Sequence, residues 1–86
     1  MKIVFKKSFT KQYVKLSTDK KILVDQSLRL FSQNPQAAEL KNHALKGKLA
    51  KKRAISAGFD LRIIFKVEGT YMLVEMLNVG THNQVY

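Results

Sequence analysis

Asp60-Leu61-Arg62-Ile63-Ile64-Phe65-Lys66-Val67-Glu68-Gly69-Thr70, continuing as Tyr71-Met72-Leu73-Val74-Glu75-Met76-Leu77-Asn78-Val79, decides the fold. Leu61, Ile63, Phe65 and Val67 fall on one side of an extended chain, and Asp60, Arg62, Ile64 and Lys66 on the other. That alternation is the signature of a half-buried strand. Glu68-Gly69-Thr70 separates two apolar runs and reads as a hairpin turn. Tyr71 to Val79 is apolar on both sides except at Glu75 and Asn78, which predicts a central strand with Met72 and Met76 in the core. Gly80-Thr81 stops it and leaves a polar tail, His82-Asn83-Gln84-Val85-Tyr86.

Working back from this hairpin, Lys46-Gly47-Lys48 marks a turn or strand entry, Lys51 to Ala57 can run extended, and Gly58 supplies the next turn. Upstream the period changes. Phe9, Tyr13 and Leu16 recur at helical spacing behind a capping serine, Ser8, while Lys7, Lys11 and Lys15 fall on another face. Ser17-Thr18-Asp19 breaks the chain and caps a second helix carrying Ile22, Leu23, Leu28, Leu30 and Phe31. Asn34-Pro35 ends it, because a residue before proline is pushed out of the helical region. Lys2-Ile3-Val4-Phe5 opens the chain as a short strand. The expected architecture is α+β, a single domain over residues 1–86. An N-terminal strand and a two-helix hairpin pack on one face of a twisted antiparallel sheet, and the other face stays open and basic.

A chain of 86 residues, 45% hydrophobic, suffices for one thin-cored domain. With no cysteine it can form neither a disulfide nor a thiolate metal site. No signal-peptide stretch follows Met1, and the apolar runs fall far short of the roughly 18 residues needed to cross a bilayer. A soluble, cytoplasmic protein without membrane association is expected. Sixteen Lys and Arg against six Asp and Glu give a formal charge of +10. Residues 40–59 hold no acid, yet contain Lys41, Lys46, Lys48, Lys51, Lys52 and Arg53. Such a run inside strand-like sequence lines cations up in rows, which suits a polyanion or an acidic protein partner better than mere solubility.

The remaining chemistry is narrow. Two histidines and six scattered acids contain no HxxxH, HExxH or Asp-x-Asp spacing, and no metal or cofactor is expected. There is no GxSxG elbow and no phosphate-cradling loop, since the four glycines stand singly at predicted turns. Metal-free RNA cleavage needs less: a base for the ribose 2′-OH, an acid for the leaving 5′-oxygen, and cations for the charge on phosphorus. Histidine suits either proton-transfer role, and arginine offers a fork that matches phosphate oxygens. His43, Arg53, Asp60, Arg62 and His82 supply these parts near the basic sheet, with Tyr86 as a stacking or proton-donating group.

Three segments together carry a resemblance. His43-Ala44-Leu45-Lys46-Gly47, then Arg53 with Asp60-Leu61-Arg62-Ile63-Ile64-Phe65-Lys66, then Gly80-Thr81-His82-Asn83-Gln84-Val85-Tyr86 occur in order across the chain. They resemble the strand entry, the strand pair and the C-terminal Gly-Thr-His ending of the RelE/YafQ toxin family. The Lys-Lys-Ser-Phe-x-Lys-x-Tyr start also fits.

The resemblance implies a metal-independent endoribonuclease that enters the ribosomal A site, cuts mRNA there and leaves a 2′,3′-cyclic phosphate. It also implies a cognate antitoxin protein that wraps and silences the toxin, with operator DNA met only through that antitoxin. Proton transfer maps to His82, the terminal aromatic to Tyr86, the strand-entry histidine to His43 and the acid before the long strand to Asp60. Arg62 and Arg53 are expected to stabilise the phosphorane, and Lys46, Lys48, Lys51, Lys52 and Lys66 to hold the RNA backbone. The chain departs from YafQ-like members in having Ser56 where they have a further histidine, and Leu61 where they have an aromatic. Which group is acid and which base stays open. Two other activities fit the same superfamily: a ParE-like gyrase poison without nuclease chemistry, and a degenerate toxin acting only with its antitoxin in operon repression.

Overall fold

The structure is a computed structural model that describes residues 1–86. Strand β1 (Lys2–Phe5) leads into helices α1 (Lys7–Val14) and α2 (Thr18–Gln33). Four strands follow: β2 (His43–Ala44), β3 (Arg53–Ser56), β4 (Leu61–Glu68) and β5 (Leu73–Thr81), and a single helical turn, α3 (His82–Val85), ends the chain. The five strands form one sheet in the order β1-β5-β4-β3-β2. From β2 to β5 every pairing is antiparallel, but β1 lies parallel to β5, so the sheet is mixed.

Alternation builds the core as expected. Leu61, Ile63 and Phe65 from β4 join Ile55 from β3, Val74, Met76 and Val79 from β5, and Phe9, Val24 and Phe31 from the helices in one buried cluster. Phe31 meets Phe65 edge-on at 5.0 Å between ring centroids, an arrangement favoured by the ring quadrupoles. Each fully buried side chain of this size stabilises the fold by about 1.5–3 kcal/mol. Tyr13 and Leu16 pack against the cluster, as their helical spacing requires.

Helix α1 completes the sheet where β1 gives out. β1 pairs with β5 only as far as Phe5 opposite Met76. A β-bulge follows on β5, where the partner of β4 jumps from Asn78 to Met76. The edge of β5 beyond it would leave polar backbone groups unpaired. Ser8 Oγ donates to the Leu77 carbonyl, and Gln12 Oε1 accepts from the Val79 amide at 2.9 Å. Ser8 is therefore inside α1 and not its cap, which is Lys6. Ser17 does cap α2, accepting from the Lys20 amide at 3.3 Å.

One core assignment changes. Met72 is 75% exposed, because the turn after β4 runs through Tyr71, whose φ of 61° is left-handed, and β5 begins only at Leu73. The tail also differs from expectation, since His82–Val85 is helical and lies against β4 and β5. No helix is long and apolar enough to cross a membrane.

Candidate active site

The face of the sheet opposite α1 and α2 carries the site. The register aligns His43, Ala54, Ile64 and Asn78 in one row across it, and Ser56, Arg62 and Gly80 in the next. Ala54 and Ile64 are fully buried there, so the face has an apolar floor as well as charge.

His43 reaches this face from the edge strand β2. Its Nδ1 lies 2.8 Å from the carbonyl oxygen of Lys41, which adopts a left-handed backbone with φ 50°. A carbonyl only accepts, so Nδ1 carries the hydrogen and the neutral ring presents Nε2 as its lone pair. The preceding Asn42 anchors the strand: its amide donates to the Pro35 carbonyl at 3.0 Å and to Tyr71 Oη at 2.9 Å.

His82 comes from the C-terminal turn α3. The Thr81 amide donates to Gln84 Oε1 at 2.8 Å, and the Tyr86 amide to the His82 carbonyl at 3.0 Å, closing the last turn. A Cβ on Gly80 would lie 2.8 Å from Gln84 Oε1 and 3.2 Å from Val85 Cγ1. Glycine at this point lets α3 rest directly on β5. The turn brings the His82 and Tyr86 rings edge-on, 4.4 Å apart.

These elements enclose an open cleft of about 370 Å³ lined by His43, Leu45, Lys46, Lys48, Leu49, His82 and Tyr86. No Asp or Glu side chain lines it. Arg62 does not line it but lies close enough to Tyr86 for its charge to act there, with Nη1 donating to the carbonyls of Phe59 at 3.0 Å and Leu61 at 2.9 Å and reaching Ser56 Oγ at 3.4 Å. Partial burial raises the Tyr86 phenol above its ordinary value, and the Arg62 charge opposes that shift. The phenol is a neutral hydrogen-bond donor at physiological pH. Two imidazoles, a phenol and cations around a cleft lined by no Asp or Glu can transfer protons and stabilise a phosphate.

Other expected residues lie elsewhere. Arg53 pairs with Phe65 and shares the side of β3 that carries Ile55, so alternation turns it to the helix-covered face. Its Nε donates to Asn42 Oδ1 at 2.8 Å, and it lines a second cleft with Ala44, Lys51, Lys52, Val67, Gly69 and Tyr71. Arg53, expected beside His82, is thus not among the residues that line the histidine cleft. Lys51 and Lys52 go with Arg53, away from Lys46 and Lys48. Asp60 is exposed in the turn before β4, outside the lining of the histidine cleft. Lys66 is exposed on β4 opposite Glu75 and does not line the cleft either. No group of three or more His, Cys, Asp or Glu side chains converges to hold a metal ion.

Sequence reasoning missed Leu45 and Leu49, the apolar walls, and Gly80 and Gln84, which seat the C-terminal turn. The Thr81-x-x-Gln84 spacing was the available signal for that turn.

Two helices packed on a mixed five-stranded sheet match the RelE/YafQ-like class of toxin folds. YafQ from Escherichia coli superposes at a TM-score of 0.79, 22% identical, over 98% of this chain and 96% of that one. A copper-bound mutant toxin from Helicobacter pylori gives 0.77 at 28% identity, covering 100% and 99%. The archaeal RelE–RelB complex from Pyrococcus horikoshii gives 0.75 at 14% identity, covering 98% and 97%. No curated protein matches the chain in sequence. The family model for YafQ, bacterial toxin of a type II toxin–antitoxin system, matches residues 1–86. The chain belongs to that family.

Proposed function

We propose that this toxin is an endoribonuclease that cuts mRNA in the ribosomal A site and is held silent by a cognate antitoxin. One observation carries the reading: His43 from the edge strand β2 and His82 from the C-terminal turn, 39 residues apart in sequence, line the same basic cleft. A surface that merely bound a partner would have no need of two imidazoles there.

We assign the roles as follows on this geometry. His43, with Nδ1–H committed to the Lys41 carbonyl, offers Nε2 as the base that takes the ribose 2′-OH proton. The 2′-oxygen then attacks phosphorus, the P–O5′ bond breaks, and a 2′,3′-cyclic phosphate is left. His82 in its protonated form gives its proton to the departing 5′-oxygen. Arg62, with only Nη1 engaged in hydrogen bonds, offers the rest of its fork to the equatorial phosphate oxygens. Lys46 and Lys48 hold the backbone at the cleft mouth, and Tyr86 steers the His82 ring. Asp60 and Lys66 stand outside this set.

The ribosome enters as the device that orients the mRNA. Orientation alone supplies about 7–11 kcal/mol in favourable cases, so a nuclease with this few groups gains most from it. The antitoxin is the partner expected of a type II system, and operator DNA is met only through it.

Growth after induction tests the reading. His82→Ala and His43→Ala should each remove toxicity while the purified variants still bind the antitoxin. A His82→Ala protein that remained fully toxic would show that the cleft does not carry the activity.

A further inference from the structure

The edge hairpin β2–β3 is charged on both faces. Consecutive residues of β2 point to opposite sides, so His43 lines the histidine cleft and Ala44 lines the cleft of Arg53. The connecting segment divides its lysines the same way, Lys46 and Lys48 to the first cleft, Lys51 and Lys52 to the second. The second cleft is open, about 290 Å³, and holds Lys51, Lys52 and Arg53 without a carboxylate in its lining. None of these cations is neutralised within the chain, whose one ion pair is Lys6 with Glu75 at 3.4 Å. Lys51 takes a left-handed backbone, φ 71°, at the turn that opens toward this side. Arg53 uses Nε on Asn42 and keeps its two Nη groups clear of any hydrogen bond. β2 is the outermost strand, so no neighbouring strand separates the two clefts across the edge.

We infer that the Lys51–Lys52–Arg53 cleft is a second RNA-binding site, which grips a phosphodiester backbone on the side of the edge hairpin away from the reacting histidines. It deepens the nuclease reading, on which it rests for taking RNA as the polyanion. The cation set suits phosphodiesters: an arginine fork matches paired phosphate oxygens, and two lysines add point charges for neighbouring phosphates. A site of this kind holds RNA without touching the scissile group, so it contributes affinity and register.

The test is binding, measured on RNA that cannot be cut. A labelled single-stranded 2′-O-methyl RNA is titrated by fluorescence anisotropy over a series of salt concentrations. The variants are Lys51→Gly with Lys52→Ala, and, as a charge-matched control on α1, Lys7→Ala with Lys11→Ala. Glycine at position 51 keeps the left-handed backbone while removing the charge. Losing two phosphate contacts on a single strand should lower the slope of log K against log salt by about 1.4, at about 0.7 per contact. The α1 control should keep the original slope. An unchanged slope in the Lys51/Lys52 variant, or an equal fall in both variants, would overturn the inference. So would an unchanged RNA slope combined with weakened binding to polyglutamate, which would assign the cleft to an acidic protein segment. A slope that falls while ribosome-bound mRNA stays uncut would sink the nuclease reading and leave this site standing. Cut mRNA with an unchanged slope would do the reverse.

Discussion

His82 and Tyr86 stand one helical turn apart with their rings edge-on, 4.4 Å between centroids and 77° between planes. The contact holds because the terminal turn is seated on Gly80 and closed by Gln84. A surface imidazole rotates freely unless something restrains it, and here the tyrosine ring does so. His43 is restrained differently, through Nδ1 on the Lys41 carbonyl. The two rings of the cleft are thus oriented by separate local devices.

Removing either histidine should remove a proton-transfer step. His43→Ala and His82→Ala are each expected to lower the single-turnover cleavage rate by about 10²–10⁴-fold, the usual contribution of general acid–base catalysis. Tyr86→Ala should cost less, roughly 2- to 10-fold, if its main part is the ring contact. Tyr86→Phe, which retains that contact, should recover most of the loss. Rates of all four variants on the same ribosome-bound mRNA decide this.

Gly80→Ala separates the seat of the turn from the core of the fold. The added methyl meets Gln84 and Val85 and must push α3 off β5. Cleavage should fall towards the level of His82→Ala, while the urea midpoint drops by no more than about 1 kcal/mol equivalent, because termini contribute little to global stability. A Gly80→Ala protein of full activity would mean that α3 need not sit where it does.

Phe31→Ala tests the core. Phe31 is fully buried and meets Phe65 edge-on. The loss should be about 3–5 kcal/mol by urea unfolding, a large share of the stability of a domain this size.

The alkaline side of the stability curve should carry the mark of Tyr13. Its hydroxyl donates to Asp25 Oδ1 at 2.7 Å, and this bond, more than burial or the Asp25 charge, raises the phenol above 10.0. The folded state therefore favours the protonated phenol. Its contribution is complete below the unfolded value and is lost as pH rises through the folded one. Comparing urea midpoints at about pH 8 and about pH 10.5, the wild type should lose more than Tyr13→Phe does.

What was legible follows the range of each signal. Alternation in Leu61–Val67 and helical spacing in Phe9–Leu16 are local, and both led to the right faces. The parallel pairing of β1 depends on where a two-helix crossover returns the chain, which no local pattern records. The terminal turn is too short for periodicity, and only its Thr81-x-x-Gln84 spacing announced it. At the site, side-chain chemistry and motif resemblance both point to His43 and His82, and the structure brings them to one cleft together with Tyr86. Charge and the motif group Arg53 with them, whereas its parity with Ile55 and Ala57 puts it on the core side. Charge patterns report which residues seek an anion, and strand parity reports on which face.

Cleavage of mRNA on the ribosome is the proposed activity of this chain. The most direct test is a purified translation reaction with one defined mRNA, mapping new 5′ ends by primer extension, beside a tube of the same mRNA without ribosomes. Cuts at A-site codons only where ribosomes are present, absent with His82→Ala, are the predicted result. Intact mRNA in both tubes, with protein that still binds its antitoxin, would contradict the account.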